Sequence, residues 1–428
     1  MTVIAFEGPA GSGKTYCLME SLSASLRERP LAKHERVMAL TFMHGSRRRL
    51  DSRLRDIDDL SGRFAATTLD SFAWRVTKRW QRLARHLGYQ MPGDGAYERT
   101  CRLAATLLER DDVRKWVTMT FPYIVVDEAQ DLSAERSAMI AALSRSGTIL
   151  LAYDEFQCLN TALLPIAIEG WLGEHCDPVV LEGCRRTEDL ELIEAAIAVR
   201  KGRAVNPDGQ RFKVVATPGH VNFRATFVSN AIAWRNGGNV AVLTPSRQGG
   251  FADSAVARVG QGPVGRHNNG PYHIKWESSD EEDSDALWEA IGIAHRCTVD
   301  EAVESLAVHR HIPAIRTLRD WVKRQRSALG VEEFTAAELR VRLGQVLSVR
   351  RRYGQRADTR FAAMTIQQAK NREFDHVIVL WPYTVPNDHE KKRRLLYNAI
   401  TRAKRSCTVL VQSEDMLAAP PFAPVAQI

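Results

Sequence analysis

The chain lacks the features of secreted, membrane-spanning and disulfide-bonded proteins. Its 428 residues include only seven cysteines, an odd number with no C-x-x-C pair, so neither a disulfide framework nor a zinc knuckle is predicted. No window reaches the roughly 18 uninterrupted apolar residues of a membrane span, and no basic segment precedes the apolar residues 3–6. We therefore expect a cytoplasmic protein with no signal peptide and no membrane partner.

Acidic residues are scarce where basic residues concentrate. Lys and Arg number 59 against 51 Asp and Glu, a formal net charge of +8 with neutral histidine. Such segregation suits a polyanion such as nucleic acid, and a solvated charged surface is the equal alternative. The basic groups are Arg47, Arg48, Arg49, Arg53 and Arg55; Arg75, Lys78, Arg79, Arg82 and Arg85; Arg316, Arg319, Lys323, Arg324 and Arg326; and Lys391, Lys392, Arg393 and Arg394.

Short apolar runs alternate with amphipathic helical segments along most of the chain. Strands that are apolar on both faces and separated by helices are typical of parallel sheets built from βαβ units. We therefore predict an α/β fold with two parallel sheets flanked by helices. The runs are residues 3–6, 37–40, 123–126, 148–152, 240–243, 377–380 and 408–411.

The alternation is interrupted twice by helical sequence. We place an N-terminal sheet domain at residues 1–175, with a helical insertion at about 76–117. The C-terminal sheet domain covers residues 176–428, with a helical insertion at about 265–355.

Two segments near the second insertion have the composition of loops. Residues 249–270 are rich in Gly, Asn and Pro, and residues 277–285 form an acidic, Ser-containing tract. Segments of this kind bury little apolar surface. We therefore expect a linker or mobile loop here, with a flexible acidic tract at 277–285.

The clearest motif is G-x-x-x-x-G-K-T at residues 8–15, between an apolar run and a helical segment. This is the context of a phosphate-binding loop, whose backbone N–H groups close around phosphate oxygens. In such a loop Lys14 reaches the β- and γ-phosphates, and the Thr15 hydroxyl binds Mg²⁺. We predict nucleoside triphosphate and Mg²⁺ as ligands. The nucleotide-binding residues are Gly8, Gly11, Ser12, Gly13, Lys14 and Thr15.

A second motif places two carboxylates at the end of an apolar strand, where residues 123–126 are followed by Asp127 and Glu128. Asp127 can bind the ion that Thr15 also binds, and Glu128 can accept a proton from the attacking water. A helix N-cap is the alternative for such a pair. Its combination with the phosphate loop favours the catalytic interpretation.

These motifs belong to a longer series that resembles the UvrD/Rep/PcrA-like branch of superfamily 1 helicases. The resemblance implies two RecA-like domains that bind ATP and Mg²⁺ in the cleft between them, with single-stranded DNA across their tops. The further motifs are residues 40–44 (LTFMH), 68–72 (TLDSF), 126–131 (VDEAQD), 153–157 (YDEFQ), 181–187 (LEGCRRT), 364–374 (MTIQQAKNREF) and 394–404 (RLLYNAITRAK).

The resemblance also implies roles for single residues. Gln157 would sense the γ-phosphate, Glu373 would bind the ribose, and Arg186 and Arg402 would act as arginine fingers. A guanidinium from a second domain stabilises the charge of the transferred phosphoryl group only when the domains close. A surface salt bridge is the alternative for Arg186, because its neighbour Arg185 allows a shift of register. The predicted DNA contacts are Phe42, His44, Ser71, Phe72, Thr365 and Gln367.

The chain departs from the family pattern at several positions. No glutamine-bearing segment precedes the phosphate loop, so we expect base recognition to differ. The aromatic residue that follows Gln157 in the family is replaced by Cys158, while Gln367 replaces a histidine and Asn371 a glycine. A lost stacking platform costs about 1–3 kcal/mol per base. Substitutes for it, each with a core position as the alternative, are Phe42, Phe72, Trp74, Tyr153 and Phe156.

The motifs together predict an ATP-dependent helicase or translocase on single-stranded or partly duplex DNA, moving 3′ to 5′, in DNA processing or phage defence. The insertions are smaller than those of fully unwinding family members, and the chain is similar in this to helicase-like subunits of Gabija-type anti-phage systems, which act with a nuclease. One alternative is a DNA-stimulated ATPase that does not unwind and regulates a partner nuclease. Another is a nucleotide-regulated DNA-binding scaffold, against which the intact Asp127–Glu128 pair argues.

Overall fold

The N-terminal lobe is built on a six-stranded sheet in which every pair of neighbouring strands is parallel. The computed structural model describes residues 2–42, 44–60, 62–93, 96–235, 237–277, 280–293, 295–353, 361–385 and 388–424. The strands of this lobe are β1 (Thr2–Glu7), β2 (Val37–Thr41), β3 (Phe64–Thr68), β4 (Tyr123–Asp127), β5 (Thr148–Tyr153) and β6 (Val179–Val180), in the order β3-β2-β4-β5-β1-β6. Its helices are α1 (Lys14–Glu28), α2 (His44–Arg55), α3 (Leu69–Arg79), α4 (Gln81–His86), α5 (Tyr97–Leu108), α6 (Asp111–Thr118), α7 (Ala134–Ser144) and α8 (Glu169–His175).

The strands of this lobe are apolar throughout because both faces of the sheet are covered. In β4, Ile124 and Val126 pack in a core with α3, α5 and α7, whereas Tyr123 and Val125 pack in a second core with α1 and α2. Side chains of a strand alternate between faces, so two cores require an unbroken apolar run. The runs predicted as buried strands are confirmed here.

The remaining elements follow in chain order. They are α9 (Leu190–Arg200), β7 (Phe212–Ala216), α10 (Val221–Ala233), β8 (Val240–Thr244), α11 (Phe251–Gln261), β9 (Lys275–Trp276), α12 (Asp280–Ile291), β10 (Cys297–Thr298), α13 (Val299–Val308), α14 (Pro313–Leu329), β11 (Glu333–Phe334), α15 (Ala336–Tyr353), β12 (Phe361–Thr365), β13 (Phe374–Trp381), α16 (His389–Ile400) and β14 (Ala403–Val411).

The C-terminal lobe contains the second sheet, whose strand order is β7-β14-β13-β8-β12-β9. The pairs β7/β14, β14/β13, β13/β8 and β8/β12 are parallel. Helices α9 and α16 share a core with this sheet, and α10 and α11 contact β8 and β13. The predicted α/β fold with two helix-flanked parallel sheets is confirmed, and the architecture is that of two RecA-like domains.

Residues 276–359 form a separate compact unit. Its core joins α12 to α15, and β10 and β11 form a short antiparallel pair. Leu306, Ile315, Leu318 and Leu339 are fully buried in this core. Two strands of two residues each therefore occur in a segment for which the sequence predicted helices alone.

Several boundaries differ from those expected from the sequence. Strand β6 pairs with β1 through Phe6–Val179 and Glu7–Val180, so the first sheet extends beyond residue 175. The helices α5 and α6, expected in an insertion, bury Leu107 and Val113 in the same core as the sheet. They complete the N-terminal lobe, because their amphipathic faces cover one face of the sheet.

The two segments expected to be loops contain helices. Helix α11 lies within residues 249–270, and Gly249 and Gly250 take positive φ values just before it. Helix α12 begins at Asp280, inside the acidic tract. Leu287, further along this helix, packs against the core of the compact unit, and such contacts order a segment whatever its own composition.

Candidate active site

The loop between β1 and α1 has the backbone conformation that phosphate binding requires. Gly11 and Gly13 have φ values of +80° and +93°, a region that costs other residues about 1–2 kcal/mol. A Cβ atom on Gly11 would lie 2.7 Å from Cys184 Sγ, so the segment after β6 packs directly on the loop. The Lys14 ammonium group donates to two carbonyls of the loop at 2.8 and 2.9 Å.

The two predicted carboxylates lie at the end of β4, beside the helix that follows the loop. Thr15 Oγ1 donates to Asp127 Oδ2 at 3.3 Å. Burial and the neighbouring Glu128 raise the pKa of Asp127. Burial acts in the same sense on Glu128, but Lys370, Lys14, the Gln130 hydrogen bond and Arg402 together outweigh it and hold the Glu128 pKa below its ordinary value. Glu128 is thus ionised at neutral pH, as a general base must be.

The backbone and side chain of Glu128 are both held in place. Its φ is +59°, an unusual conformation for a residue other than glycine that is concentrated at functional sites. Gln130 Nε2 donates to Glu128 Oε2 at 2.5 Å, and the amide N–H of Asp154 donates to Gln130 Oε1 at 3.0 Å. The next strand therefore fixes the orientation of the predicted base through Gln130.

The residues present fit a triphosphate with Mg²⁺. The buried Ser12 Oγ has no hydrogen-bond partner among the described residues, so a phosphate oxygen would satisfy it. Thr15 and Asp127 supply one hydroxyl and one carboxylate. Mg²⁺ is commonly held by one or two carboxylates together with substrate phosphates. The raised Asp127 pKa reflects carboxylate charge that a cation would compensate.

Arg402 enters this site from the C-terminal lobe. It lies just before β14 and is only 2% exposed. Its Nη2 donates to Gln157 Oε1 of the N-terminal lobe at 3.4 Å, and its Nε donates to the Asn398 carbonyl at 3.1 Å. Burial and the nearby Arg186 lower the Arg402 pKa to about 10, while Glu128 opposes that shift. The guanidinium therefore lies at the seam between the lobes. It is close enough to Glu128, the predicted general base, for the carboxylate charge to affect its pKa.

Gln157 belongs to a buried polar cluster that joins the lobes. Its Nε2 donates to Asp154 Oδ2 at 3.0 Å, and the Tyr397 hydroxyl donates to the same oxygen at 3.0 Å. The Tyr397 hydroxyl also accepts from the backbone N–H of Ala10 in the phosphate loop at 2.8 Å. Arg200 completes the cluster with an ion pair to Asp154 at 2.6 Å. The γ-phosphate sensor predicted from sequence is thus linked to the phosphate loop through Tyr397.

The residues of this site lie in two segments of the chain, and each segment matches a family model. A model described as an AAA domain matches residues 1–162, and a model described as a UvrD-like helicase C-terminal domain matches residues 360–410. Together the two matches support a UvrD-like superfamily 1 helicase. The first match includes the phosphate loop and the β4 carboxylates, and the second includes Glu373 and Arg402. No curated protein matches the chain.

The two matches support an ATP-dependent helicase-type function, since these families use ATP with Mg²⁺. It also implies DNA binding. Of the helices in the described ranges, none is long and apolar enough to cross a membrane. The similarity to Gabija-type subunits stays a prediction.

Arg186, the other arginine expected at the site, is held by the C-terminal lobe of this UvrD-like chain. Its Nε lies 3.0 Å from Glu373 Oε1, and its Nη1 donates to the Thr401 carbonyl at 2.6 Å. Glu373, expected to bind the ribose, also lies 3.3 Å from Lys404 Nζ. Arg186 is thus part of a cluster of alternating charges beside Arg402.

Arg185 is a site residue that sequence reasoning missed. Its Cδ lies 3.1 Å from the position of a Cβ on Gly13, and its guanidinium carbon lies 5.4 Å from the centre of the Tyr16 ring. Arg185 therefore lies directly on the phosphate loop, as does the Cβ of Arg186, which is 2.9 Å from the position of a Cβ on Gly11. The adjacent arginines and the uncertain register of this motif were the available signal.

Lys370 and Asp131 form a buried ion pair between the lobes of the UvrD-like chain. Lys370 Nζ lies 2.6 and 2.5 Å from the two Asp131 oxygens and donates to the Gln157 carbonyl at 3.3 Å. Both side chains are about one-tenth exposed or less. Burial raises the pKa of Asp131. Lys370 therefore neutralises a carboxylate that would otherwise be unfavourable in the seam.

The replacement of the family's glycine by Asn371 is explained by its backbone. Asn371 has a φ of +64°, which glycine and, among other residues, asparagine adopt most readily. Its carbonyl accepts from Arg49 Nη2 of α2 at 2.6 Å. Arg49, one of the basic group at 47–55, is therefore a contact between the lobes.

We expect Asn371→Ala to be less stable than Asn371→Gly by about 1 kcal/mol in free energy of unfolding. Both variants lose the asparagine side chain, but the left-handed backbone conformation is unfavourable for alanine and not for glycine. Urea unfolding followed by circular dichroism measures the difference. Equal stability, or a more stable alanine variant, would contradict a positive φ at this position.

The predicted DNA contacts differ in their accessibility. Phe42 is 38% exposed and lies just after β2, but Phe72 is 5% exposed and packs in the core of the N-terminal lobe. Phe72 is therefore not available to stack on a base, because its position on α3 faces the sheet. Ser71 is exposed on the other side of the same helix. Its Oγ accepts from Thr68 Oγ1 at 2.8 Å.

In the C-terminal lobe, Thr365 ends β12 and its Oγ1 accepts from the N–H of Gln368 at 3.3 Å. Gln367, in the next turn, is exposed. His44 begins α2, but its side chain lies outside the described residues. Among the other aromatic candidates Tyr153 and Phe156 are buried, so they are core residues.

Proposed function

We propose that this UvrD-like chain hydrolyses ATP with Mg²⁺ and uses the cycle to move 3′ to 5′ along single-stranded DNA. The observation that carries the proposal is the buried Arg402 guanidinium, which the C-terminal lobe extends to Gln157 of the N-terminal lobe. A cationic side chain that one lobe contributes to a nucleotide site on the other lobe stabilises the transition state only while the two lobes are closed. Hydrolysis is therefore coupled to the relative position of the two lobes, as a translocase requires.

The residues divide the chemistry between them. Glu128 orients the attacking water and accepts its proton, while Lys14, Arg402 and the arginines of the 181–187 motif offset the charge that develops on the phosphoryl oxygens. When bound, Mg²⁺ would be held by Thr15 and Asp127 and would neutralise charge on the β- and γ-phosphates. Gln157, tied to the phosphate loop through Tyr397, relays the presence of the γ-phosphate to the seam.

A steady-state ATPase assay with and without single-stranded DNA tests the proposal. We expect turnover that DNA stimulates and that Lys14→Ala abolishes. A forked duplex with a 3′ tail, compared with one carrying a 5′ tail, tests unwinding and its direction. Turnover that is absent from the wild-type protein, or retained in full by Lys14→Ala, would reject the site and favour a nucleotide-regulated DNA-binding scaffold.

A second candidate is a DNA-stimulated ATPase that does not unwind and regulates a partner nuclease in DNA processing or phage defence. It is supported by the way α5 and α6 are buried in the sheet domain itself, which leaves the N-terminal lobe with little additional structure to engage a duplex. DNA-stimulated turnover without strand separation on either fork would favour this candidate over the translocating helicase.

A further inference from the structure

Trp74 is the most exposed of the aromatic candidates for a base platform, at 55% of its surface. It lies in the middle of α3, whose opposite face buries Phe72, Ala73 and Val76 in the lobe's core. The outer face of the helix thus leaves the Trp74 ring accessible to a partner from outside the lobe.

The residues around Trp74 are basic. Exposed cations follow it along α3 and into α4, and with Trp74 we call them the basic track. The basic track consists of Trp74, Arg75, Lys78, Arg79, Arg82 and Arg85.

The cations of the basic track have no carboxylate partner within the described part of the chain, whereas neighbouring cations of the lobe are paired. Arg102 lies 2.8 Å from Glu135, and Lys115 lies 2.6 Å from Asp111. Within the track, Arg79 instead lies over the ring of Trp116 at 5.9 Å. Five neighbouring positive charges without counter-charges repel one another, and a polyanion would remove that repulsion.

The basic track is continuous with a predicted DNA contact. Helix α3 begins directly after β3, at the carboxyl edge of the sheet where Phe42 also lies. Ser71, Trp74 and Lys78 are spaced by three and four residues, so they follow one another on one face of the helix. The 11 residues of α3 span roughly 16 Å. A strand that contacts Ser71 can therefore continue along the helix.

We propose that the basic track binds single-stranded DNA beyond the edge of the sheet, with phosphates on its cations and one base stacked on Trp74. The inference rests on the proposed function, because it extends the path of the same strand. Stacking on an exposed ring needs an unpaired base, and alternating aromatic and cationic side chains are typical of sequence-tolerant single-strand sites. In this proposal Trp74 stacks on a DNA base in place of the aromatic residue that Cys158 replaces.

Fluorescence anisotropy of labelled oligo-dT, measured over a series of salt concentrations, tests this inference on the full-length protein. We expect Trp74→Ala to weaken binding roughly 5- to 150-fold, since a stacked base is worth about 1–3 kcal/mol. Trp74→Phe should recover most of the affinity. In Arg75→Ala/Lys78→Ala, the slope of log K against log salt should fall by about 1.4, because each lost phosphate contact contributes about 0.7 on single strands.

The matched control is Arg27→Ala/Lys33→Ala, which removes two exposed cations from the end of α1 and the loop after it, on the other face of the same sheet. It should leave both the affinity and the salt slope close to those of the wild type. If the wild-type protein binds oligo-dT and the track variants behave like this control, the inference is overturned while the proposed function stands. A wild-type protein that does not bind oligo-dT would reject the proposed function itself. An equal loss for blunt duplex DNA would reject base stacking on Trp74.

Discussion

Replacing Arg402 by glutamine is expected to lower kcat for ATP hydrolysis by about 10³-fold or more, with ATP binding largely retained. The guanidinium is buried in the seam, reaches Gln157 from the other lobe and feels the charge of Glu128. In the transition state it would offset charge that is not yet developed in bound ATP, so its loss raises the barrier without weakening ground-state binding to the same degree. Glutamine is chosen because alanine would leave a larger cavity.

Single-turnover hydrolysis and equilibrium binding of a fluorescent ATP analogue separate the two effects. Arg405→Gln is a matched control, because that arginine lies three residues further on but is 57% exposed and lies 3.7 Å from Asp375. It should hydrolyse ATP at close to the wild-type rate. If Arg402→Gln keeps wild-type turnover, or loses ATP binding and turnover together, the guanidinium does not act on the transition state. Circular dichroism distinguishes a folded, inactive variant from an unfolded one.

Glu128→Gln is expected to lower kcat by about 10² to 10⁴-fold while ATP still binds, which is the range for loss of a general base. The substitution keeps the size of the side chain but removes its capacity to accept a proton. Burial raises the pKa of Glu128, but Lys370, Lys14, the Gln130 hydrogen bond and Arg402 together hold it below the ordinary value. Its ionised form is thus already present at neutral pH, and the wild-type rate should not fall through Glu128 protonation until the pH is below that ordinary value.

The pH profile of single-turnover hydrolysis and the ATP affinity of Glu128→Gln check this prediction. Glu135→Gln is the control, since Glu135 lies on α7 in an ion pair with Arg102 and outside the seam. Full turnover in Glu128→Gln would show that another group accepts the proton. The Gln130 amide donates to Glu128, and the amide oxygen of a glutamine at 128 can accept the same hydrogen bond, so a loss of folding is not expected.

The residues and segments whose structure differs from expectation have a common physical origin. Phe72 stands beside Ser71 in one motif, and sequence gives no means of telling which of the two faces the sheet until the register of α3 is known. The acidic tract was expected to be mobile because its composition is poor in apolar residues, yet part of it forms the first turn of α12. In each case composition describes a segment by itself, whereas its neighbours in space decide its structure.

The order of the motifs, the unbroken apolar strands and the phosphate loop determined the fold class and the residues at the two halves of the site. Such features are local: a strand covered on both faces must be apolar throughout, and a loop that closes on phosphate must carry glycine at its left-handed positions. The tertiary structure alone decided which groups meet across the seam, among them Arg402 with Gln157, Lys370 with Asp131 and Tyr397 with the phosphate loop. These contacts join residues more than 200 positions apart, and no local pattern records them.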